Sequence, residues 1–257
     1  MVSIQGQTVV ITGASSGIGA SCARMFAKEG ASLILAARRR DKLAKLAAEI
    51  ESTYQSKVYV LEMDVTDRAS VENLANLPED WRKVDILVNN AGLSRGLNKL
   101  QQGKIQDWEE IIDTNVKGLL YVTRSLLPGM IERDRGHVIN IGSIAGHQAY
   151  TGGNVYCASK AAVRSLSEGL KMDLLGTPIR VSCIDPGTVA TDFSKVRFRG
   201  DTDQADRVYQ GMNPLTPDDI AEIVVFCATR PANVNISEML VLATDQSSAT
   251  MINRHGG

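Results

Sequence analysis

Short apolar runs rich in β-branched residues recur along the chain at Thr8–Ile11, Ser32–Ala37, Val58–Met63, Ile86–Val88, His137–Ile141, Arg180–Ile184 and Met239–Leu242. Most of the intervening segments carry apolar residues at helical spacing. Strands separated by helices predict a parallel sheet, because parallel neighbours need crossover connections, and these are nearly always right-handed. The pattern is that of a doubly wound α/β fold of about seven strands with helices on both faces. No repeat, low-complexity block or linker interrupts it, so residues 1–257 are expected to form a single domain.

Composition narrows the function. A formal net charge of −1 gives no reason to expect polyanion binding, so nucleic acid is not an expected partner. Cys22, Cys157, Cys183 and Cys227 sit in apolar surroundings without CxxC or Cys/His spacing. They read as reduced core residues of a cytoplasmic protein, not as a disulfide framework, and no metal site is expected. The N-terminus lacks a basic segment followed by an apolar core, and no stretch approaches the ~18 apolar residues of a spanning helix. The expectation is a soluble, unprocessed protein with no membrane partner.

In doubly wound sheets, ligands bind beyond the carboxyl ends of the strands, so the residues after each run carry the chemistry. The first run is followed by TGASSGIG. Gly13, Gly17 and Gly19 allow a sharp turn, a close backbone approach to a ligand and tight packing of the next helix. That helix starts near Ser16, with free N–H groups and a positive dipole end suited to a pyrophosphate. Ser15 and Ser16 can add hydroxyl donors or cap the helix. The second run ends in Arg38-Arg39-Arg40, where a carboxylate would take the ribose 2′-OH of NAD. Guanidinium groups suit a 2′-phosphate instead, so the cofactor expected is NADP. At the third tip, Asp64 can accept from an adenine amino group while Val65 packs on the ring, or Asp64 or Thr66 can cap the following helix. At the fourth, Asn90, Ala91 and Gly92 follow Asn89, with an amide for backbone or ribose and a glycine that permits close approach.

The fifth run leads to Ser143, and Tyr156-Cys-Ala-Ser-Lys160 follows at the start of a helical segment. Tyr156 and Lys160 are four apart and share a helix face. A phenol titrating at ~10 is a poor base, but a nearby ammonium and an oxidised nicotinamide both favour phenolate. The pair reads as a general acid–base group, with Ser143 placed to stabilise charge on the substrate oxygen. Asn115 lies inside a helical pattern where asparagine competes poorly, so it is expected to kink the helix and hold a water that connects Lys160 to solvent.

Taken in order, TGASSGIG, NNAG, the helical Asn115, Ser143, YCASK and Asp185-Pro186-Gly187 resemble the short-chain dehydrogenase/reductase family over nearly the whole chain. The resemblance implies a Rossmann-like fold and a tetrad of Asn115, Ser143, Tyr156 and Lys160, with Tyr156 the proton donor or acceptor and Lys160 also on the nicotinamide ribose. It implies cofactor contacts from Gly13, Ser15, Ser16, Gly17, Ile18, Gly19, Arg38, Arg39, Asp64, Val65, Asn90, Ala91 and Gly92. Pro186, Gly187, Val189 and Thr191 would lie against the nicotinamide. Members are commonly homotetramers.

For the substrate, FSKVRFRGD at 193–201, within a covering segment of about 191–214, places Lys195, Arg197 and Arg199 close together. A guanidinium there can grip a carboxylate, or the loop can be solvated or face a subunit. Together with Arg38 and Arg39, the segment is similar to the NADP-dependent 3-hydroxy acid dehydrogenase branch. That likeness implies small 3-hydroxy acids such as L-serine, allo-threonine or 3-hydroxyisobutyrate, in a pocket formed by Ser143, His147, Gln148, Tyr150, Tyr156, Arg197 and Arg199. Two rivals stand beside it: a reductase of neutral ketones, diketones or sugars on the same core, and a non-catalytic NADP sensor, for which a complete proton relay has no use.

Overall fold

A computed structural model describes residues 2–255. Seven strands form one sheet: β1 (Thr8–Thr12), β2 (Ser32–Ala37), β3 (Val58–Glu62), β4 (Val84–Asn89), β5 (His137–Ile141), β6 (Arg180–Pro186) and β7 (Glu238–Val241). Their order is β3-β2-β1-β4-β5-β6-β7, and every pairing is parallel. The seven runs expected from the sequence are these seven strands, with ends shifted by a residue or two. Ladder hydrogen bonds carry β4 and β6 past their apolar runs, to Asn89 and Pro186.

The connecting helices are α1 (Gly17–Lys28), α2 (Arg40–Tyr54), α3 (Arg68–Glu72), α4 (Ile105–Ile112), α5 (Leu119–Glu132), α6 (Asn154–Asp173), α7 (Phe193–Arg197), α8 (Thr202–Arg207) and α9 (Pro217–Ala228). The central strands are buried on both faces, and successive residues feed opposite cores. Val9 and Ile11 of β1 join Leu33 and Leu35 of β2 under α1, α2 and α9, whereas Val10 and Ile34 face Val122, Leu126 and Met130 of α5. Ala20, Ala23 and Ala27 let α1 lie close against Ala221 and Val224 of α9. Helix α9 is started by a reciprocal cap between Thr216 and Asp219, with Pro217 in its first turn.

The sequence places Asn115 inside a helical pattern, and the structure interrupts that helix once. Residues Asp113–Gly118 form a π-helical turn between α4 and α5, with Asn115 inside it. An inserted residue of this kind frees the local i→i−4 ladder and turns a side chain out of its regular row. Strand order reverses where β1 lies between β2 and β4, and that is where the crevice opens.

Candidate active site

A cavity of about 600 Å³ lies beyond the strand tips. Its walls include Gly13, Ser15, Ser16, Gly17, Ile18, Arg38, Arg39, Asp64, Val65, Asn90, Ala91, Gly92, Ser143, Tyr150, Tyr156, Lys160, Pro186, Gly187, Val189, Thr191 and Arg197. One site therefore collects residues from strand tips far apart in the chain.

The glycine turn is tight for stated reasons. Gly13 and Gly17 have φ of 65° and 55°, in the left-handed region. A Cβ at Gly19 would stand 2.5 Å from Asn90 Nδ2 and 2.6 Å from the Gly13 carbonyl oxygen. The Asn90 amide holds this turn by donating to the Thr12 carbonyl at 2.9 Å. Thr12, which sequence reasoning passed over, accepts at Oγ1 from the N–H groups of both Asn90 and Ala91, each at 3.0 Å. Its only signal was a hydroxyl at the end of an otherwise apolar run.

The two serines find a partner that local reading does not supply. Ser16 takes the N-cap position of α1 without a capping hydrogen bond. Instead Arg39 Nη2 donates to Ser15 Oγ and Ser16 Oγ, both at 2.7 Å. Arg38 lies on the same rim, its Nη1 3.7 Å from Asp64 Oδ2. Asp64 closes its own turn by accepting from the Thr66 N–H and hydroxyl, and Asp67, not Asp64 or Thr66, caps α3. The cradle, the open N-terminus of α1 and two guanidinium groups fit a dinucleotide bearing an additional phosphate.

At the other end, Tyr156 and Lys160 stand one turn apart on α6, both buried. Lys160 Nζ donates to the Ile141 carbonyl at 2.8 Å, and burial pulls its pKa down to about 8. Burial likewise pushes the Tyr156 phenol up to about 12, opposed chiefly by the charge of Arg197 and, more weakly, by a hydrogen bond with Ser143. Among the groups that draw the phenol's pKa down against burial, Arg197 leads, not the expected Lys160. Asn115 is almost fully buried and acts as a strut. Its Oδ1 accepts from the Leu93 N–H at 2.8 Å, while Nδ2 donates to the Leu93 carbonyl at 2.8 Å and to Ser159 Oγ at 3.0 Å. The π turn is what brings this amide to the Leu93 backbone, beside the Lys160 helix.

Of the residues expected around the substrate, Arg197 and Tyr150 reach the cavity with Ser143 and Tyr156. Arg197 donates from Nη2 to the Tyr150 hydroxyl at 3.2 Å and lies over the rings of Tyr156 and Phe193 at 5.4 and 5.2 Å. Its Nε is buried with no hydrogen-bond partner. The other three go elsewhere, contrary to the sequence expectation. Arg199 turns outward and pairs with Asp107 and Glu110 of α4, because the chain adopts a left-handed conformation at 199 (φ 51°) that reverses its direction. Gln148 is exposed and accepts from the Ala249 N–H. His147 packs behind Ser143, with Nε2 3.0 Å from Asp185 Oδ2. Lys195 pairs with Asp192 at the surface. Tyr209, unremarked in the sequence, meets Ser194 Oγ at 2.8 Å and donates to the Val189 carbonyl at 3.2 Å, tying α7 to the segment that leaves β6.

The fold, the glycine cradle and the Ser143–Tyr156–Lys160–Asn115 set are those of a dehydrogenase of the short-chain class. A family model described as short chain dehydrogenase matches residues 7–201, and the chain belongs to that family. It is 48% identical to an NADP-dependent 3-hydroxy acid dehydrogenase of Salmonella typhi, covering 94% of this chain and 96% of that one. It is 44% identical, with the same coverage, to a serine 3-dehydrogenase of Rhizobium radiobacter. Among solved structures it superposes on the closed form of a serine dehydrogenase complexed with NADP+ with a TM-score of 0.90, at 45% identity, over 98% of this chain and all of that one. No helix among the described residues is long and apolar enough to cross a membrane.

Proposed function

We propose that this protein is an NADP-dependent oxidoreductase that interconverts a small 3-hydroxy acid and the corresponding carbonyl acid, with Tyr156 as general acid–base. The observation that carries the substrate class is Arg197: a guanidinium over the Tyr156 ring whose Nε has no protein partner. A buried donor left unsatisfied costs ~1–3 kcal/mol, and a carboxylate is the acceptor whose planar geometry matches it. Names of the relatives, 3-hydroxy acid dehydrogenase and serine dehydrogenase, support the same reading. NADP fits the other end of the cavity, where Arg38 and Arg39 stand at the rim beside the α1 N-terminus.

Gly13, Ser15, Ser16, Arg38 and Arg39 would hold NADP, which would supply a hydride acceptor for oxidation of the carbinol carbon and a hydride donor for the reverse reaction. Tyr156 takes the hydroxyl proton of the alcohol, or gives it to the carbonyl oxygen. Ser143 donates a hydrogen bond to that oxygen and stabilises its developing charge. Lys160 faces the same end of the cavity, anchored on the Ile141 carbonyl, and brings positive charge to the phenol's surroundings. Asn115 fixes the Leu93 backbone beside α6, which sets one wall of the site.

Initial-rate absorbance of the reduced nicotinamide tests the reading, with NADP and 3-hydroxyisobutyrate, 3-hydroxybutyrate or L-serine set against uncharged alcohols of matched size. Faster turnover of the acids, abolished in Tyr156→Phe, is expected. Preference for neutral alcohols would overturn the substrate class, and full turnover by Tyr156→Phe would overturn the assignment of the acid–base group.

A further inference from the structure

Behind the catalytic serine lies a carboxylate that the reaction itself does not use. Asp185, near the end of β6, is only 1% exposed. Its Oδ1 accepts from the Ser143 main-chain N–H at 3.0 Å and from Cys183 Sγ at 3.3 Å. Its Oδ2 meets His147 Nε2 at 3.0 Å, and the same nitrogen is 3.2 Å from Glu238 Oε1. Glu238 in turn accepts from Arg164 Nε at 3.0 Å, at the surface. Gly142 makes room for this arrangement, since a Cβ there would overlap Asp185 Oδ1. A buried carboxylate is expensive unless its oxygens are hydrogen-bonded, so its few donors are strongly held.

We propose that Asp185 is a positioning residue for the reaction: it pins the Ser143 main chain at the β5 tip, and His147 braces its second oxygen against Glu238. The proposal rests on the reading of Ser143 as the group that holds the substrate oxygen. The bond from Ser143 N to Asp185 ties the β5 tip to β6, one residue beyond the bond from Gly142 N to the Ile184 carbonyl at 2.7 Å. Past this point the chain leaves the sheet for a short turn, in which Ser143 Oγ accepts from the Ala145 N–H at 3.1 Å. Without the carboxylate, the Ser143 N–H has no acceptor, and the hydroxyl loses the fixed base that aims it. Nothing in this role requires contact with substrate or cofactor.

The role separates hydrogen bonding from simple filling of space. Asp185→Asn keeps an acceptor for the Ser143 N–H and offers His147 a donor, whereas Asp185→Leu keeps the volume and removes the acceptor. Two readouts are taken on the full-length protein: kcat with whichever alcohol the wild type oxidises best, and amide hydrogen exchange of a peptide spanning 142–147. Asp185→Leu is expected to lose about 100-fold in kcat, the order that a misplaced catalytic group costs, with KM changed far less. Exchange at Ser143 should rise by at least about tenfold in that variant, as local opening loses its cost. Asp185→Asn should stay within about threefold of wild type in both readouts.

Should Asp185→Leu fail to fold, His147→Ala is expected to raise exchange of the same peptide while Asp185→Asn does not. Wild-type exchange in Asp185→Leu, or in His147→Ala where that variant carries the test, would overturn the proposal, and so would an Asp185→Asn variant as impaired as Asp185→Leu. The exchange readout needs no substrate, so an inactive wild type would count against the functional reading and leave this positioning test standing.

Discussion

The guanidinium carbon of Arg197 stands 5.4 Å from the centroid of the Tyr156 ring, so the cation and the phenol proposed as the general acid–base group share one end of the cavity. Arg197 is also the protein charge that does most to lower a phenol otherwise held up by burial. On the proposed function, this one side chain would link substrate recognition to proton transfer, and replacing it should affect both.

Arg197→Gln is expected to lower the ratio of kcat/KM for 3-hydroxy acids to that for matched neutral alcohols by about 30-fold, the worth of a charge-assisted pair. Both classes should also shift their activity toward higher pH, because removing the cation raises the Tyr156 pKa further. Rates on paired substrates across a pH series check this; an unchanged ratio would remove Arg197 from carboxylate recognition.

Cofactor preference is expected to follow the two rim arginines. Replacing Arg38 and Arg39 together by alanine should reduce the NADP-to-NAD ratio of kcat/KM by about 100-fold, since two guanidinium contacts to a phosphate are lost while the rest of the cradle stays. Arg39→Ala alone should also weaken NAD, because it removes the donor to Ser15 and Ser16 in the glycine turn. Steady-state kinetics with both cofactors decide the matter.

Lys160 makes a prediction about stability. Its folded pKa of about 8 lies below the ordinary lysine value of 10.5, so between those pH values the unfolded chain binds more protons. The penalty for burying the ammonium is therefore fully present below about pH 8 and relieved as pH rises toward 10.5. Lys160→Met should be inactive yet melt higher than wild type at pH 7, and the gap should close toward pH 10. Melting curves at several pH values measure this; a gap independent of pH would contradict the burial argument.

The outward turn of Arg199 has a kinetic consequence. Arg199 on Asp107 and Glu110, Arg95 on Glu110 and the Val196 carbonyl, and the Gly96 N–H on the Arg197 carbonyl together fasten α7 over the cavity. The Arg199 pair is half exposed, which limits it to ~1 kcal/mol and exposes it to screening. Arg199→Ala should raise KM for the substrate about threefold at low salt. Wild-type KM should rise between 0.05 and 0.5 M NaCl by about the same factor, and the variant's should not. A KM for Arg199→Ala equal to that of wild type at low salt would exclude the latch.

What could be read from the chain was whatever is local. Strand positions followed from short apolar runs, because burial on both faces leaves a parallel strand few polar residues. The glycine turn followed from φ values that only glycine adopts cheaply, and the Tyr156–Lys160 pair from one turn of helix. Contacts across the fold decided the rest. Asn115 meets the Leu93 backbone 22 residues away, Arg39 meets Ser15 across 24, and Arg199 meets Asp107 across 92. In each case the side chain alone allowed a second partner or none: a water for Asn115, a phosphate for Arg39, a substrate for Arg199. The family likeness puts His147 in the pocket, yet a short 3₁₀ turn at Ile144–Gly146 carries it behind the strand tip to Asp185. Residue type and spacing determined which chemistry this protein carries; the direction each long side chain takes was decided by the elements packed around it, which only the folded chain brings together.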